Sequence, residues 1–253
     1  MSQPVHSMTA RPLRLGTRGS PLAQAQARMT AQALCAAHGW HADRIETVIV
    51  QTSGDRIQDR ALADIGGKAL WTKELDRALM AGEIDFAVHS MKDVETSRPP
   101  AIAIAAMLPR ADVRDRLVGA DSLDTLPPGA VVGTSSPRRS AQVRRARPDA
   151  TIILFRGNVA TRLAKLAGGE AQATLLAAAG LDRLGQGDIG VSIAVDTMLP
   201  APAQGAVGIE TLADNEAMRA LLLAISHGDT FDCVMAERAV LRALGGTCHS
   251  LIA

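Results

Sequence analysis

The stretch Gly82-Glu-Ile-Asp-Phe-Ala-Val-His-Ser-Met-Lys-Asp93 decides the fold. Ile84, Phe86 and Val88 alternate with Asp85 and Ala87, and polar residues then take over at once. A short apolar run ending in polar groups predicts a strand whose carboxyl end opens on solvent or a ligand. In open α/β sheets ligands gather at the carboxyl ends of strands. Here that end presents His89, Ser90, Lys92 and Asp93. Lys92 can hold the neighbouring carboxylate ionised and offer a donor to an anion. A plain strand-end turn with a solvated ion pair accounts for the same residues, so the stretch needs support from elsewhere.

On its N-terminal side, a helix is predicted from about Leu70 to Met80, with Leu75 and Leu79 on one face. Before it, residues 52–67 are polar and end in Gly66-Gly67-Lys68, a long connection of the kind that forms lids. Gly66-Gly67-Lys68 lacks the first Gly and the Ser/Thr of a phosphate-binding P-loop. Leu13 to Ser20 reads as a strand entering a Gly-containing turn. Ser20-Pro21 then opens a helix to about His38, with Ser as N-cap and Pro in the first turn. The free N–H groups there, with Arg18, can hold an anion, although an ordinary capped helix looks the same. His38, Trp40 and His41 read as surface residues. Ile45–Val50 and Ile102–Met107 are further strands.

A second unit repeats this grammar. Gly16-Thr17…Ser20-Pro21 matches Gly133-Thr134…Ser136-Pro137, one residue tighter, and Glu83 to Val88 is echoed by Glu170 to Leu176. Two similar α/β lobes are therefore expected to face each other, each offering a helix N-terminus to a cleft for an anionic ligand. Arg138 and Arg139 fall in the first turn of the second lobe's helix, where a cation opposes the helix dipole; that placement calls for an anion beside them. Arg144, Arg145 and Arg147 are assigned to solvent. Ile152–Phe155 is a strand ending in Arg156-Gly-Asn158, and the helix from about Val159 carries Arg162, Leu163 and Leu166. Strand Ala173–Ala178 leads to Gly180 and Arg183. Pro200 to Gln204 is a Pro-rich crossover before a strand through Ile209. Helices follow at Asn215–Ile225 and Phe231–Leu244, the latter with Val234, Ala239 and Leu241 inward, and Gly245-Gly246-Thr247-Cys248 forms a tight turn.

Composition narrows the classes. Lys and Arg number 27 against 26 Asp and Glu, so no global field favours nucleic acid or a membrane surface. Tyr is absent and Phe and Trp total five, too few for base stacking. No signal peptide or spanning run is read, and Cys35, Cys233 and Cys248 have no metal-ligand spacing, so no metal is expected. A cytoplasmic protein acting on a small polyanion is the expectation.

Seven segments together resemble the porphobilinogen deaminase (hydroxymethylbilane synthase) family: Leu15-Gly-Thr-Arg-Gly-Ser-Pro-Leu-Ala23, Gly66-Gly-Lys68, Val88-His-Ser-Met-Lys-Asp93, Val132-Gly-Thr-Ser-Ser-Pro-Arg-Arg139, Arg156-Gly-Asn158, Gln204-Gly-Ala-Val-Gly-Ile-Glu210 and Gly245-Gly-Thr-Cys248. The resemblance spans Leu13 to Cys248. It implies two periplasmic-binding-protein-like lobes with mixed sheets and a third α/β domain. The regions would be 11–108 with 204–225, then 109–203, then 226–253 as a shortened third domain. It implies condensation of four porphobilinogens into a linear tetrapyrrole with loss of ammonia, on a dipyrromethane cofactor joined through Cys248. The family's catalytic carboxylate falls on Asp93. Its cofactor contacts fall on Lys92, Asp93, Thr134, Ser135, Ser136, Arg138 and Arg139, and its substrate contacts on Arg18, Ser20, Lys68, Arg156, Arg162, Arg183 and Gln204. A monomer is implied. Departures from the family pattern are Ala69 and Trp71 after Lys68, Ala160 after Asn158-Val159, Ser250-Leu251 past the cofactor Cys, and a C-terminal region that family members extend by several tens of residues. A two-lobed binder of small polyanions with impaired catalysis is the alternative that follows from the last.

Overall fold

The computed structural model describes residues 11–51, 72–247 and 250–253. The predicted lid with Lys68, and Cys248 itself, lie outside the described residues. The first strands are β1 (Leu13–Arg18), β2 (Ile45–Val50), β3 (Phe86–Ser90) and β4 (Ile102–Met107). A second sheet follows with β5 (Asp115–Val118), β6 (Val131–Gly133), β7 (Thr151–Ile153), β8 (Ala173–Ala177) and β9 (Val191–Ser192), and β10 (Val207–Leu212) returns to the first. The sheet orders are β2-β1-β3-β10-β4 and β7-β6-β8-β5-β9. Each sheet has three parallel strands in the order second, first, third. One antiparallel strand, β10 or β5, then joins the third, and the edge strand, β4 or β9, pairs antiparallel with it and so runs in the direction of the first three. The repeated grammar in the sequence is thus a repeated topology.

The helices are α1 (Pro21–His38), α2 (Lys73–Met80), α3 (Pro137–Ala146), α4 (Val159–Ala167), α5 (Ala178–Arg183), α6 (Glu216–Leu223) and α7 (Gly228–Ala243). Phe86 and Val88 pack with Ala27 and Leu34 of α1, while Ala87 packs with Leu75 and Leu79 of α2. Both faces of β3 are therefore buried, and the alternation read from the sequence does not become an inside and an outside. A central strand covered by helices on two sides has no solvent face. In α7, Val234 is fully buried among Met91, Val94, Met107, Ala203 and Ala206, which docks this helix on the first lobe.

Several sequence expectations change. β5 and β9 were not expected: β5 is short, and its Asp115 breaks the apolar pattern. β7 stops at Ile153; Leu154 is exposed, and Phe155 turns into the core. Ala239 faces solvent and the inward position of that helical turn belongs to Arg238. Arg147 is not a solvated residue. It donates to the carbonyls of Leu123, Leu126 and Pro127 at 2.7, 2.9 and 3.0 Å and pairs with Asp149, tying down the turn before β6. His38 is half-buried, stacked on Trp40 with ring centroids 4.4 Å apart and bonded to the Leu221 carbonyl.

The glycine of each Gly-Thr repeat has a steric reason. A Cβ at Gly16 would sit 2.3 Å from Cδ1 of Ile84, and one at Gly133 would sit 2.4–2.6 Å from ring atoms of Phe155. In both lobes a large core side chain crosses directly over β1 or its counterpart β6. The Phe155 ring is fully buried and cannot step aside cheaply. Gly133→Ala is expected to lower stability by about 1–3 kcal/mol, read as a lower urea midpoint at unchanged slope; an unshifted midpoint would show that Phe155 can slide.

Candidate active site

Each lobe presents a capped helix start to the cleft. In the first, the Ala23 N–H donates to Ser20 Oγ at 3.2 Å, and Thr17 Oγ1 donates to the Ala23 carbonyl at 3.1 Å. Arg18, Ser20, Gln26, His89, Ser90 and Asp93 line a pocket at the carboxyl end of β3. Gln26 is buried and donates to Ser90 Oγ at 2.8 Å, joining α1 to that strand end. The chain then turns through a single 3-10 turn, Met91–Asp93. Asp93 is half-buried, and its carboxylate makes no hydrogen bond or ion pair with any described residue. Lys92 reaches the side-chain oxygen of Gln204 at 3.4 Å.

Opposite stands the first turn of α3. Ser136 caps it by accepting from the Arg139 N–H at 3.4 Å, and Thr134 Oγ1 accepts from the Ser136 N–H at 3.1 Å. Arg138 and Arg139 are buried and clamp the two oxygens of Asp115 at 2.8 and 2.6 Å. Arg138 also donates to the Leu199 carbonyl, and Arg139 to the Leu175 carbonyl at 2.9 Å. Gln204 completes the cluster, donating to Asp115 at 2.8 Å and to the Val113 carbonyl at 2.7 Å. The anion that the helix dipole argument called for is therefore present within the chain, as Asp115. Each arginine still keeps a buried Nε–H with no hydrogen-bond partner among the described residues.

Arg162 donates to Ser135 Oγ at 3.3 Å and to the Gly157 carbonyl at 3.0 Å, and Arg156 is buried beside it. Arg183 instead donates to the Gly205 carbonyl at 2.6 Å, bracing the crossover between the lobes. Burial and the field of Arg139 lower the Lys92 ammonium to about 8, against the pull of Asp93 and Asp115. Burial, then Arg139, with Arg156 adding to it, lowers Arg162 to about 10, against the pull of Asp93. Cations crowded into a poorly solvated cleft are short of negative charge, which is the state an anionic ligand relieves.

A second buried cluster lies behind the pocket. Arg98 holds Glu210 through two bonds of 2.7 and 2.9 Å, reaches Glu95 at 2.7 Å, and also pairs with Asp76. His89 Nε2 lies 3.1 Å from Glu210. Burial alone would raise the Glu210 carboxyl, but His89 and Arg98 outweigh it and hold it at about 2. Sequence reasoning passed over Asp115, Arg98, Gln26 and Glu210. For Glu210 and Gln26 the signal existed: each is a polar residue inside an apolar stripe.

Comparison with known proteins agrees with this geometry. Residues 13–220 match the family described as "Porphobilinogen deaminase, dipyromethane cofactor binding domain". The porphobilinogen deaminase of Sphingopyxis alaskensis is 62% identical over 247 residues, covering 96% of this chain and 78% of that one. The chain belongs to the porphobilinogen deaminase family. The Paracoccus denitrificans protein of that name is 52% identical, covering 96% of this chain and 78% of its own. The chloroplastic one of Oryza sativa is 50% identical, covering 95% of this chain and 69% of its own. Among solved structures, the second substrate binding domain of a putative amino acid ABC transporter from Streptococcus pneumoniae is 13% identical with a TM-score of 0.49, covering 93% of this chain and 95% of that one.

Members of the porphobilinogen deaminase family are transferases of tetrapyrrole biosynthesis. The donors here fit a dipyrromethane with its acetate and propionate groups: Lys92 and Arg162 lack a carboxylate partner among the described residues, and two buried guanidinium N–H groups are unsatisfied. Asp115 is what permits this density of charge. Burial opposes its ionisation, yet Arg139 and Arg138 hold its carboxyl well below the usual carboxylate range. A carboxyl depressed on folding contributes stability above its unfolded pKa of about 4 and loses that contribution as pH falls further. Asp115→Asn is expected to cost about 3–5 kcal/mol at pH 7, because two buried guanidinium groups lose their counter-charge. Thermal unfolding from pH 7 down to 3 should show a shallower acid decline in the variant than in the parent. Parallel curves would mean that Asp115 does not carry the linkage.

Proposed function

We propose that this chain is a working hydroxymethylbilane synthase and that Asp93 is its catalytic carboxylate. The observation that carries this reading is a carboxylate without a partner among the described residues, facing a cleft otherwise crowded with cations. The reaction joins four porphobilinogens head to tail, and one ammonia leaves at each condensation. The carbon–nitrogen bond of the aminomethyl arm breaks, and its carbon bonds to the free α-carbon of the preceding pyrrole, which gives up a proton. Positive charge develops on the ring that loses nitrogen. Asp93 offsets that charge through the pyrrole N–H and can carry protons between the leaving nitrogen and the α-carbon.

The remaining residues bind and orient. Arg18 and Ser20 at the start of α1, and Arg156 and Arg162 at the far lobe, are placed for the carboxylates of the incoming ring and the growing chain, which the planar guanidinium fork suits. Lys92, Thr134, Ser135, Ser136, Arg138 and Arg139 would hold the dipyrromethane, which supplies the acceptor carbon for the first condensation. Attachment is assigned to Cys248 by resemblance, because Gly245-Gly-Thr-Cys248 matches the family's attachment turn and neither Cys35 in α1 nor Cys233 in α7 does. Lys68 is assigned to substrate by the same resemblance. Two assignments are better read as supports: Arg183 and Gln204 hold the crossover, and Gln204 also orients Lys92.

The protein is proposed to act in the cytoplasm as a monomer, without nucleic-acid or membrane partners. No helix among the described residues is long and apolar enough to cross a membrane, and the charge balance is near zero. Asp93→Asn is expected to cut kcat for porphobilinogen by about 100-fold or more while leaving the unfolding temperature within a few degrees. Ammonia release with purified protein, already carrying the added mass of a dipyrrole on Cys248, provides the check. Binding of porphobilinogen without ammonia release by the parent protein would favour the non-catalytic two-lobed reading instead.

A further inference from the structure

Asp93 sits on one turn of 3-10 helix, and a free turn would not hold a carboxylate still. Its N-terminal side is fixed by β3 and by the Met91 N–H, which donates to the Ala206 carbonyl at 3.1 Å. Its C-terminal side, residues 94–98, has no partner strand in either sheet. Arg98 and Glu95 tie its far end into the first lobe through Glu210 and Thr72, and a second hold on its backbone comes from outside that lobe. Arg238 of α7 is buried, makes no ion pair with any described residue, and spends its guanidinium on three successive carbonyls: Val94 at 3.1 Å, Glu95 at 2.5 Å and Thr96 at 3.4 Å. Thr96, itself buried, donates from Oγ1 to the Gly246 carbonyl at 3.1 Å. Gly246 belongs to the turn that ends α7, closed by its own N–H on the Leu241 carbonyl at 2.8 Å. Two residues further along the chain is Cys248.

We infer that Arg238 and Thr96 are positioning residues that lock the segment after Asp93 to the turn before Cys248. The segment that follows Asp93 and the turn at Gly245–Gly246 then form one body. This rests on the assignment of Asp93 and Cys248 above. A buried guanidinium facing carbonyls rather than a carboxylate is a costly way to fix a loop. What it achieves is a planar fork that spans consecutive peptide groups, which a lysine ammonium cannot do. Thr96 adds the contact with the turn itself.

The test uses the full chain with Thr96→Val, which keeps shape and removes one hydroxyl, Thr96→Ser, which restores it, and Arg238→Lys. Three readouts are taken: hydrogen exchange of residues 91–98 and 245–247, the dipyrrole mass on the purified protein, and kcat and KM for porphobilinogen. Thr96→Val and Arg238→Lys are expected to speed exchange in both segments together and to lower kcat about tenfold at a KM within twofold, since misplacement of a reacting group acts on turnover more than on binding. Thr96→Ser should recover both. Parent-like exchange and kcat in folded Thr96→Val and Arg238→Lys would overturn the inference. So would a loss that Thr96→Ser fails to restore, which would mark a packing defect. Should Asp93→Asn retain turnover, the catalytic assignment fails, but coupled exchange of the two segments still decides whether they move as one.

Discussion

The cleft depends on one buried carboxylate, Asp115. Two arginines in the first turn of a helix repel each other and oppose its dipole, and both are almost fully buried. Without a counter-ion at 2.6 and 2.8 Å they would be driven toward solvent, and the donors they present to the cleft would lose their direction. Asp115 neutralises one charge of the two. The surplus is what remains for a ligand, together with Lys92 from the other lobe and Arg162. The site is thus poised between two failures: too little negative charge and its buried arginines destabilise the fold, too much and nothing is left to bind carboxylates with.

Asp115 also marks where the lobes are joined. It begins β5, the first strand after the chain leaves the first lobe, and it accepts from Gln204 on the segment that brings the chain back. Gln204 in turn receives Lys92 from the turn after β3. Outgoing crossover, returning crossover and the turn after β3 therefore meet on one carboxylate and one amide. The two crossovers touch closely enough that a Cβ at Gly205 would lie 2.6 Å from the Ala111 carbonyl oxygen, so a glycine is required there. This contact joins the two lobes beside the turn that carries Lys92 and Asp93.

The architecture was legible in the sequence because both lobes are written in the same local code. Ser20-Pro21 and Ser136-Pro137 each became an N-cap and first turn, and strands such as Ile45–Val50 and Ile102–Met107 fell where apolar periodicity placed them. What periodicity could not show is tertiary polarity. Arg147 reads as one more surface cation, yet it gathers three carbonyls of a distant turn. Ala239 reads as core, yet it faces solvent and the inward position belongs to Arg238. Ionic pairs such as Asp115 with Arg138 and Arg139, or Glu210 with Arg98, join residues 23 to 112 positions apart, and no local pattern encodes that separation. The cations of the site were visible from strand ends and helix starts; the acids that make them tolerable were not.

The two clusters of buried charge divide the labour between the lobes. In the second lobe Asp115 is outnumbered by its arginines, which leaves the cleft wall positive. In the first, Arg98 is outnumbered by Asp76, Glu95 and Glu210, with His89 against Glu210 from the side of the pocket. An acid-rich cluster behind the turn that carries Asp93 thus stands against a base-rich cluster in the second lobe. On the proposed assignment of Asp93, a cationic ring forming between them would be drawn toward that carboxylate, and the carboxylates at its edge toward the arginines. Orientation of a substrate bearing both kinds of charge would then follow from the fixed charges on the two walls, before any individual hydrogen bond is counted.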